Sequence, residues 1–231
     1  MPQRRGRLAL LTVALALPLV GCGGGSDESP TELLRQAKAT LDEATSVHFT
    51  LDTAEEPDAT TGLLGGEGDL LRPASFQGTL QVLVAGSQVE VEVVSVDGTV
   101  YAQLPFTTGF SVVDPADFGI GDPAALLDPD EGISQLLETV EDPEPDEERR
   151  VDGEVVREVT GRIPGDLVER LLTSEDPAQP VEVTFAITDE EAQLRRAELT
   201  GPFFLAQDDA TYVVELSDYG ADVEITAPPT S

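Results

Sequence analysis

The chain has 231 residues with 45 acidic against 13 basic side chains, a net charge of −32 with its one histidine neutral. That balance excludes binding to a phosphate backbone, which needs Lys and Arg to neutralise phosphates; the acidity reads instead as solubility and self-repulsion near a surface. A single cysteine excludes an intrachain disulfide, and with a single histidine it also excludes a zinc site.

The first element is a leader. Arg4, Arg5 and Arg7 precede an apolar run, Leu8 to Val20, of 13 residues, well short of the ~20 that span a bilayer as a helix. A positive start, a short apolar middle and small residues at the end define a secretory signal. Leu19-Val20-Gly21-Cys22 fits the lipobox of bacterial lipoproteins, in which the chain is cut before the cysteine and its thiol is acylated. The alternative is an ordinary secreted protein whose signal happens to contain Cys22. The expected division is a signal peptide over 1–21, a lipidated Cys22 and flexible tether over 22–29, one domain over 30–227 and a tail over 228–231. After cleavage ten basic residues face 45 acidic ones, a net charge of −35, so an acyl anchor rather than charge must hold the protein at an anionic membrane. The expected place is the extracytoplasmic face of the cell membrane, as a monomer. The absence of Asn and the single Lys38 against twelve Arg indicate a GC-rich genome; a halophile would also explain the acidity.

Ser29-Pro30-Thr31-Glu32 combines a capping box with proline at the first helical position. Leu33, Leu34, Ala37, Leu41 and Ala44 follow at helical spacing. The period then drops to two: Val47, Phe49 and Leu51 alternate with His48, Thr50 and Asp52. Leu63–Glu67 reads as a mobile stretch. Leu80, Val82 and Val84 alternate, as do Val89, Val91 and Val93, and Asp97-Gly98 joins Glu90–Val96 to Thr99–Leu104 as a hairpin. Asp122–Leu127 reads as a capped helical turn, and Gly132–Val140 as a helix with Ile133, Leu136, Leu137 and Val140 on one face. Glu141–Glu148 reads as an acidic loop broken by prolines. Asp152-Gly153 turns Arg149–Val151 into Glu154–Gly161, and Pro164–Leu172 carries Leu167, Val168, Leu171 and Leu172 on one helical face. Val181–Ile187, Leu194–Thr200, Tyr212–Ser217 and Val223–Ile225 complete the strands. Antiparallel strands with a few segregated helices predict an α+β domain.

No catalytic constellation emerges, and no cofactor is called for. His48 lies in a strand facing away from Phe49, and no G-x-S-x-G accompanies it. Asp128-Pro129-Asp130-Glu131-Gly132 resembles a calcium loop only in part: its glycine falls one place early, and position 139 is Thr139 where the loop needs Glu. It reads as an acidic cap at a helix N-terminus. Gly119-Ile120-Gly121-Asp122-Pro123-Ala124 matches G-x-G-x-x-A by spelling alone, since Pro123 lacks the amide and Asp122 repels a pyrophosphate.

The apolar faces are aliphatic, with eight Phe, three Tyr and no Trp in the chain. Such walls can leave a concave, methyl-lined space. An ordinary close-packed core has the same periodicity, so periodicity does not separate the two.

From about Leu33 to Val223 the chain resembles the LppX/LprA/LprF/LprG lipoproteins of actinobacteria. The resemblance is carried by Ser46-Val47-His48-Phe49-Thr50-Leu51-Asp52-Thr53, by Glu67-Gly68-Asp69 with Arg72-Pro73, and by Val96-Asp97-Gly98-Thr99-Val100-Tyr101-Ala102-Gln103-Leu104. Asp122-Pro123-Ala124-Ala125-Leu126-Leu127-Asp128-Pro129-Asp130 with Gly132-Ile133, and Leu216-Ser217-Asp218-Tyr219-Gly220, complete it. It implies a half-barrel: one curved antiparallel sheet with helices on its concave face, enclosing a hydrophobic cavity. The cavity would take acyl chains of a lipid or glycolipid for carriage within the envelope, for some members beside a membrane exporter. The inward residues expected from the strands are Phe49, Leu51, Val89, Val91, Val93, Val100 and Ala102. Those expected from the helices are Leu126, Leu127, Ile133, Leu136, Leu137, Leu167 and Leu171. The competing reading is an anchored protein-interaction module with a closed core; an enzyme comes behind both.

Overall fold

A computed structural model describes residues 28–118, 121–151 and 153–230. The signal peptide, Cys22, the tether as far as Asp27, and Asp152 of the second predicted turn lie outside the described residues.

Helix α1 (Pro30–Glu43) starts as the sequence dictates: the Ser29 hydroxyl accepts the Glu32 amide at 3.3 Å, and Pro30 occupies the first turn. It buries Leu33, Leu34, Ala37 and Leu41. Eleven strands follow: β1 (Ser46–Thr53), β2 (Gly62–Leu71), β3 (Ser75–Val84), β4 (Ser87–Val96), β5 (Thr99–Gln103), β6 (Ser111–Val113), β7 (Glu141–Val151), β8 (Glu154–Ile163), β9 (Val181–Thr188), β10 (Leu194–Leu205) and β11 (Asp208–Ser217). They form one antiparallel sheet in the order β6-β5-β4-β3-β2-β1-β11-β10-β9-β8-β7. Two meanders thus meet at its centre, where β1 pairs with β11 from His48↔Ser217 to Thr53↔Tyr212. The sheet is curved but not closed. On its concave face lie α1, a 3-10 turn at Pro123–Leu127, α2 (Ile133–Glu138) and α3 (Gly165–Val168). This is the expected α+β half-barrel.

The hairpins are set by residues that accept positive φ. Asp97 and Gly98 (φ 53° and 71°) turn β4 into β5, and Ala85 with Gly86 (φ 50° and 75°) makes the β3–β4 turn. Where β2 crosses β3, Gly68 faces Gly78, and a Cβ on Gly78 would stand 2.1 Å from the Glu67 carbonyl oxygen. The fully buried ring of Phe76 covers this glycine pair and meets Phe49 at 5.6 Å between centroids.

Five sequence expectations are corrected. Leu63–Glu67 belongs to β2. Glu141–Glu148 is most of β7, an edge strand whose outer side needs no ladder bonds; there Pro143 and Pro145 are tolerated, with register shifts on either side. Residues 223–225 form no strand, although Ile225 is buried. The helices are shorter than the apolar patterns suggested: α2 stops at Glu138, and α3 covers only the start of Pro164–Leu172, continued by turns. Asp128 caps its own turn, accepting the amides of Asp130 at 2.8 Å and Glu131 at 3.1 Å, so the acidic stretch does not cap α2, whose N-cap is Gly132. His48 does face outward, its Nδ1 at 2.8 Å from Asp69 Oδ1.

A two-part apolar hollow as the candidate functional site

Between the sheet and the helices lie two adjoining hollows. The first has a volume of about 70 Å³. From the sheet it is walled by Phe49 and Leu51 of β1, Leu63 of β2, Leu80 of β3, Phe185 of β9, Ala197 and Leu199 of β10, and Val214 of β11. From the helical layer come Leu126, Ile133 and Leu136, then Val168, Leu171 and Leu172. Gly121, Asp122 and Pro123 with Arg170 complete the lining, and of these Gly121 and Arg170 are exposed, which places them at the rim.

The second hollow, about 240 Å³, covers the bare concave face of β3 to β6. Leu80, Val82 and Val84, then Val89, Val91 and Val93, then Val100, Ala102, Leu104 and Pro105 supply most of its wall, with Val113, Pro115 and Pro123. Leu80 and Pro123 line both spaces, so the hollows adjoin there.

The wall follows from strand periodicity. Val89, Val91 and Val93 share a face because side chains alternate along β4, and their partners across the ladder, Val82, Leu80 and Gly78, continue it. Glu90 and Glu92 take the opposite, exposed face. In the helical layer the Asp122 carboxylate accepts the Ala124 amide at 2.9 Å, fixing the turn that presents Leu126.

Both spaces are larger than close packing leaves, because interior voids rarely exceed one water molecule. A water needs about 10–15 Å³ by this kind of measure, so neither void is a packing flaw.

Of the fourteen residues expected inward, Phe49, Leu51, Leu126, Ile133, Leu136 and Leu171 line the first hollow, and Val89, Val91, Val93, Val100 and Ala102 the second. Leu127, Leu137 and Leu167 line neither. Leu127 and Leu137 are buried in the core behind the wall, and Leu167 is partly buried against it. Sequence reasoning missed Ala197, Leu199, Phe185 and Val214, although period two along their strands marks them as one face. It also missed the rim, Gly121 to Pro123 with Arg170, which no periodicity announces.

Three aromatic side chains brace one side. Tyr212 packs on Phe203 (4.9 Å) and Phe204 (5.6 Å), and its hydroxyl donates to the Leu63 carbonyl. Burial raises the Tyr212 hydroxyl far above its usual pKa, so it remains a neutral donor tying β11 to β2.

Comparison with known proteins agrees with this architecture. LprG of Mycolicibacterium hassiacum, named a lipoarabinomannan carrier protein, is 31% identical over 231 residues, covering 96% of each chain. LprG of Mycobacterium tuberculosis, which bears the same name, is 28% identical over all of this chain and 99% of the relative. Among solved structures, LprF of Mycobacterium bovis superposes with a TM-score of 0.71 at 20% identity, over 86% of this chain and 96% of that one. LppX of Mycobacterium tuberculosis gives 0.63 at 21%, over 87% and 100%. At such identities these two structures speak for the fold. The LppX_LprAFG lipoprotein profile matches residues 29–225, nearly the whole described domain. The chain belongs to the LppX_LprAFG lipoprotein family.

Proposed function

We propose that this protein carries lipids within the cell envelope, sheltering acyl chains in the paired hollows while Cys22 holds it to the extracytoplasmic face of the membrane. The observation that supports this reading most is the second hollow, about 240 Å³ with a wall of valine, leucine, alanine and proline side chains only. Such a space gains free energy when filled by hydrocarbon. At ~0.8 kcal/mol per methylene, burying ten methylenes is worth about 8 kcal/mol without any polar contact. The carrier names of the LprG relatives point the same way. No helix among the described residues is long and apolar enough to cross a membrane, in keeping with an acyl anchor. The cargo is an acylated lipid or glycolipid, the protein acts as a monomer, and a membrane exporter is its natural partner. No catalytic step enters this account, because loading and release need only displacement of side chains at the rim.

Native mass spectrometry of the full chain, gently purified from its membranes, tests the reading. Adducts whose masses match lipids, extractable into organic solvent, are the expected result. A bare protein mass that stays bare after incubation with phospholipid and diacylglycerol would leave the protein-interaction module in its place.

A further inference from the structure

The carrier reading leaves the headgroup open, and the inference that follows rests on that reading. The described residues contain ten Lys and Arg side chains, and nine of them are engaged. Seven form ion pairs with carboxylates. Arg72 donates to the carbonyls of Ala44 and Leu41, and Arg150 to that of Gly153. Arg170 alone among the described residues makes no hydrogen bond and no ion pair. Arg72 and Arg150 lack a carboxylate but hold carbonyls, so a cationic side chain with neither kind of partner is the exceptional state among the described residues.

Its place is equally particular. Arg170 is exposed on the rim of the first hollow, next to Leu171 and Leu172, which line it. The opposing lip is Gly121–Pro123. A Cβ on Gly121 would sit 3.4 Å from the Arg170 carbonyl oxygen, so the backbones of the two lips approach closely. Asp122, the other charged group of the lining, already has one carboxylate oxygen on the Ala124 amide. A lipid whose chains lie in the hollow therefore leaves its headgroup beside one unpartnered guanidinium.

We propose that Arg170 is the headgroup-reading residue of this protein and selects lipids whose headgroup carries an oxyanion of the phosphate type. A guanidinium presents five donors in a planar fork that fits two phosphate oxygens at once. The acidic protein repels such a headgroup at long range, but that field is screened beyond about 8–10 Å at ordinary salt, whereas direct contact with Arg170 is not. Selection thus falls on the last step of loading, when chains enter and the headgroup meets the rim.

The test is a competition. The full chain in mild detergent is offered equal amounts of phosphatidylglycerol and diacylglycerol with identical acyl chains, and each complex is counted by native mass spectrometry. The parent should favour the anionic lipid by about tenfold, the ratio that one charge-assisted hydrogen bond supplies. Arg170→Gln should bring the ratio close to one by weakening the anionic lipid's binding while diacylglycerol is still loaded, and Arg170→Lys should keep part of the preference. Because Arg170 is exposed and without side-chain partners, neither variant perturbs the fold. Equal binding of both lipids by the parent, or a preference that survives in Arg170→Gln, would overturn the proposal. So would stabilisation of the lipid-free chain by inorganic phosphate that depends on Arg170 while no lipid preference appears, since the site would then serve a free anion. A parent that binds neither lipid would remove the carrier reading itself, an outcome distinct from loss of preference.

Discussion

Val91→Trp distinguishes a hollow kept for cargo from a core that is merely loose. Val91 is half-buried in the middle of β4 and faces the larger hollow, with Leu80 opposite it on β3. An indole there enters a space of about 240 Å³. It gains on the order of 100 Å² of apolar burial, worth roughly 2.5 kcal/mol, against about 1–3 kcal/mol for side-chain rearrangement. The two nearly cancel, so the melting temperature should move by no more than a few degrees, at about 2–4 °C per kcal/mol for a domain of this size. Cargo responds differently. Displacing about four methylenes from the wall weakens binding by ~3 kcal/mol, roughly a hundredfold or more. Scanning calorimetry and titration with a fluorescent lipid, run on parent and variant, read the two effects separately. A fall of about ten degrees with unchanged lipid binding would refute the reasoning, because the indole would then have been forced into a packed core away from the cargo.

Three further outcomes follow, the first from the sequence and the other two from the structure. Cys22→Ala should abolish labelling by radioactive palmitate and release the protein from the membrane or leave it uncleaved; label retained by the variant contradicts the anchor. Helix α2 spans six residues, lacks a side-chain N-cap, and supplies Ile133 and Leu136 to the first hollow. Its amides should therefore exchange faster than those of β4 and slow on lipid binding, and identical exchange with and without lipid would rule out a moving wall. On the outer face, Glu158 is buried beside Arg149 at 3.0 Å, and desolvation raises its pKa above the ordinary carboxylate value despite that partner. A carboxyl with a raised folded-state pKa contributes stability below its unfolded pKa and loses it as the pH rises through the folded one. The parent should thus gain stability relative to Glu158→Gln as the pH is lowered through the folded pKa, and a flat difference in melting temperature from pH 7 downward would disprove it.

Much of the fold was legible because its determinants are local. Ser29 and Pro30 announce α1, Asp97-Gly98 announces a hairpin, and Val89, Val91 and Val93 alternate as strand residues must. Where local signals were weak or contradictory, the larger structure decided. β2 carries four glycines, Gly62, Gly65, Gly66 and Gly68, and so reads as a loop; it becomes a strand because β1 and β3 pair along both its edges. β7 reads as a loop because of Pro143, Pro145 and its charges, yet an edge strand tolerates all of these, having one side free. At the site, the family resemblance supplied the expectation of a cavity and periodicity the choice of residues, of which eleven of fourteen line the hollows. Arg170 was illegible for a different reason. Its significance lies in having no partner, which depends on where every carboxylate of a folded chain comes to rest.

The most direct measurement of the central claim is a crystal structure of the full chain loaded with a two-chain lipid. The account predicts continuous density for hydrocarbon in the space between Phe49, Leu136 and Leu199, running past Leu80 and Pro123 against Val91 and Val100. Lipid density confined to the outside of the domain, with both hollows closed by their own side chains, would contradict it.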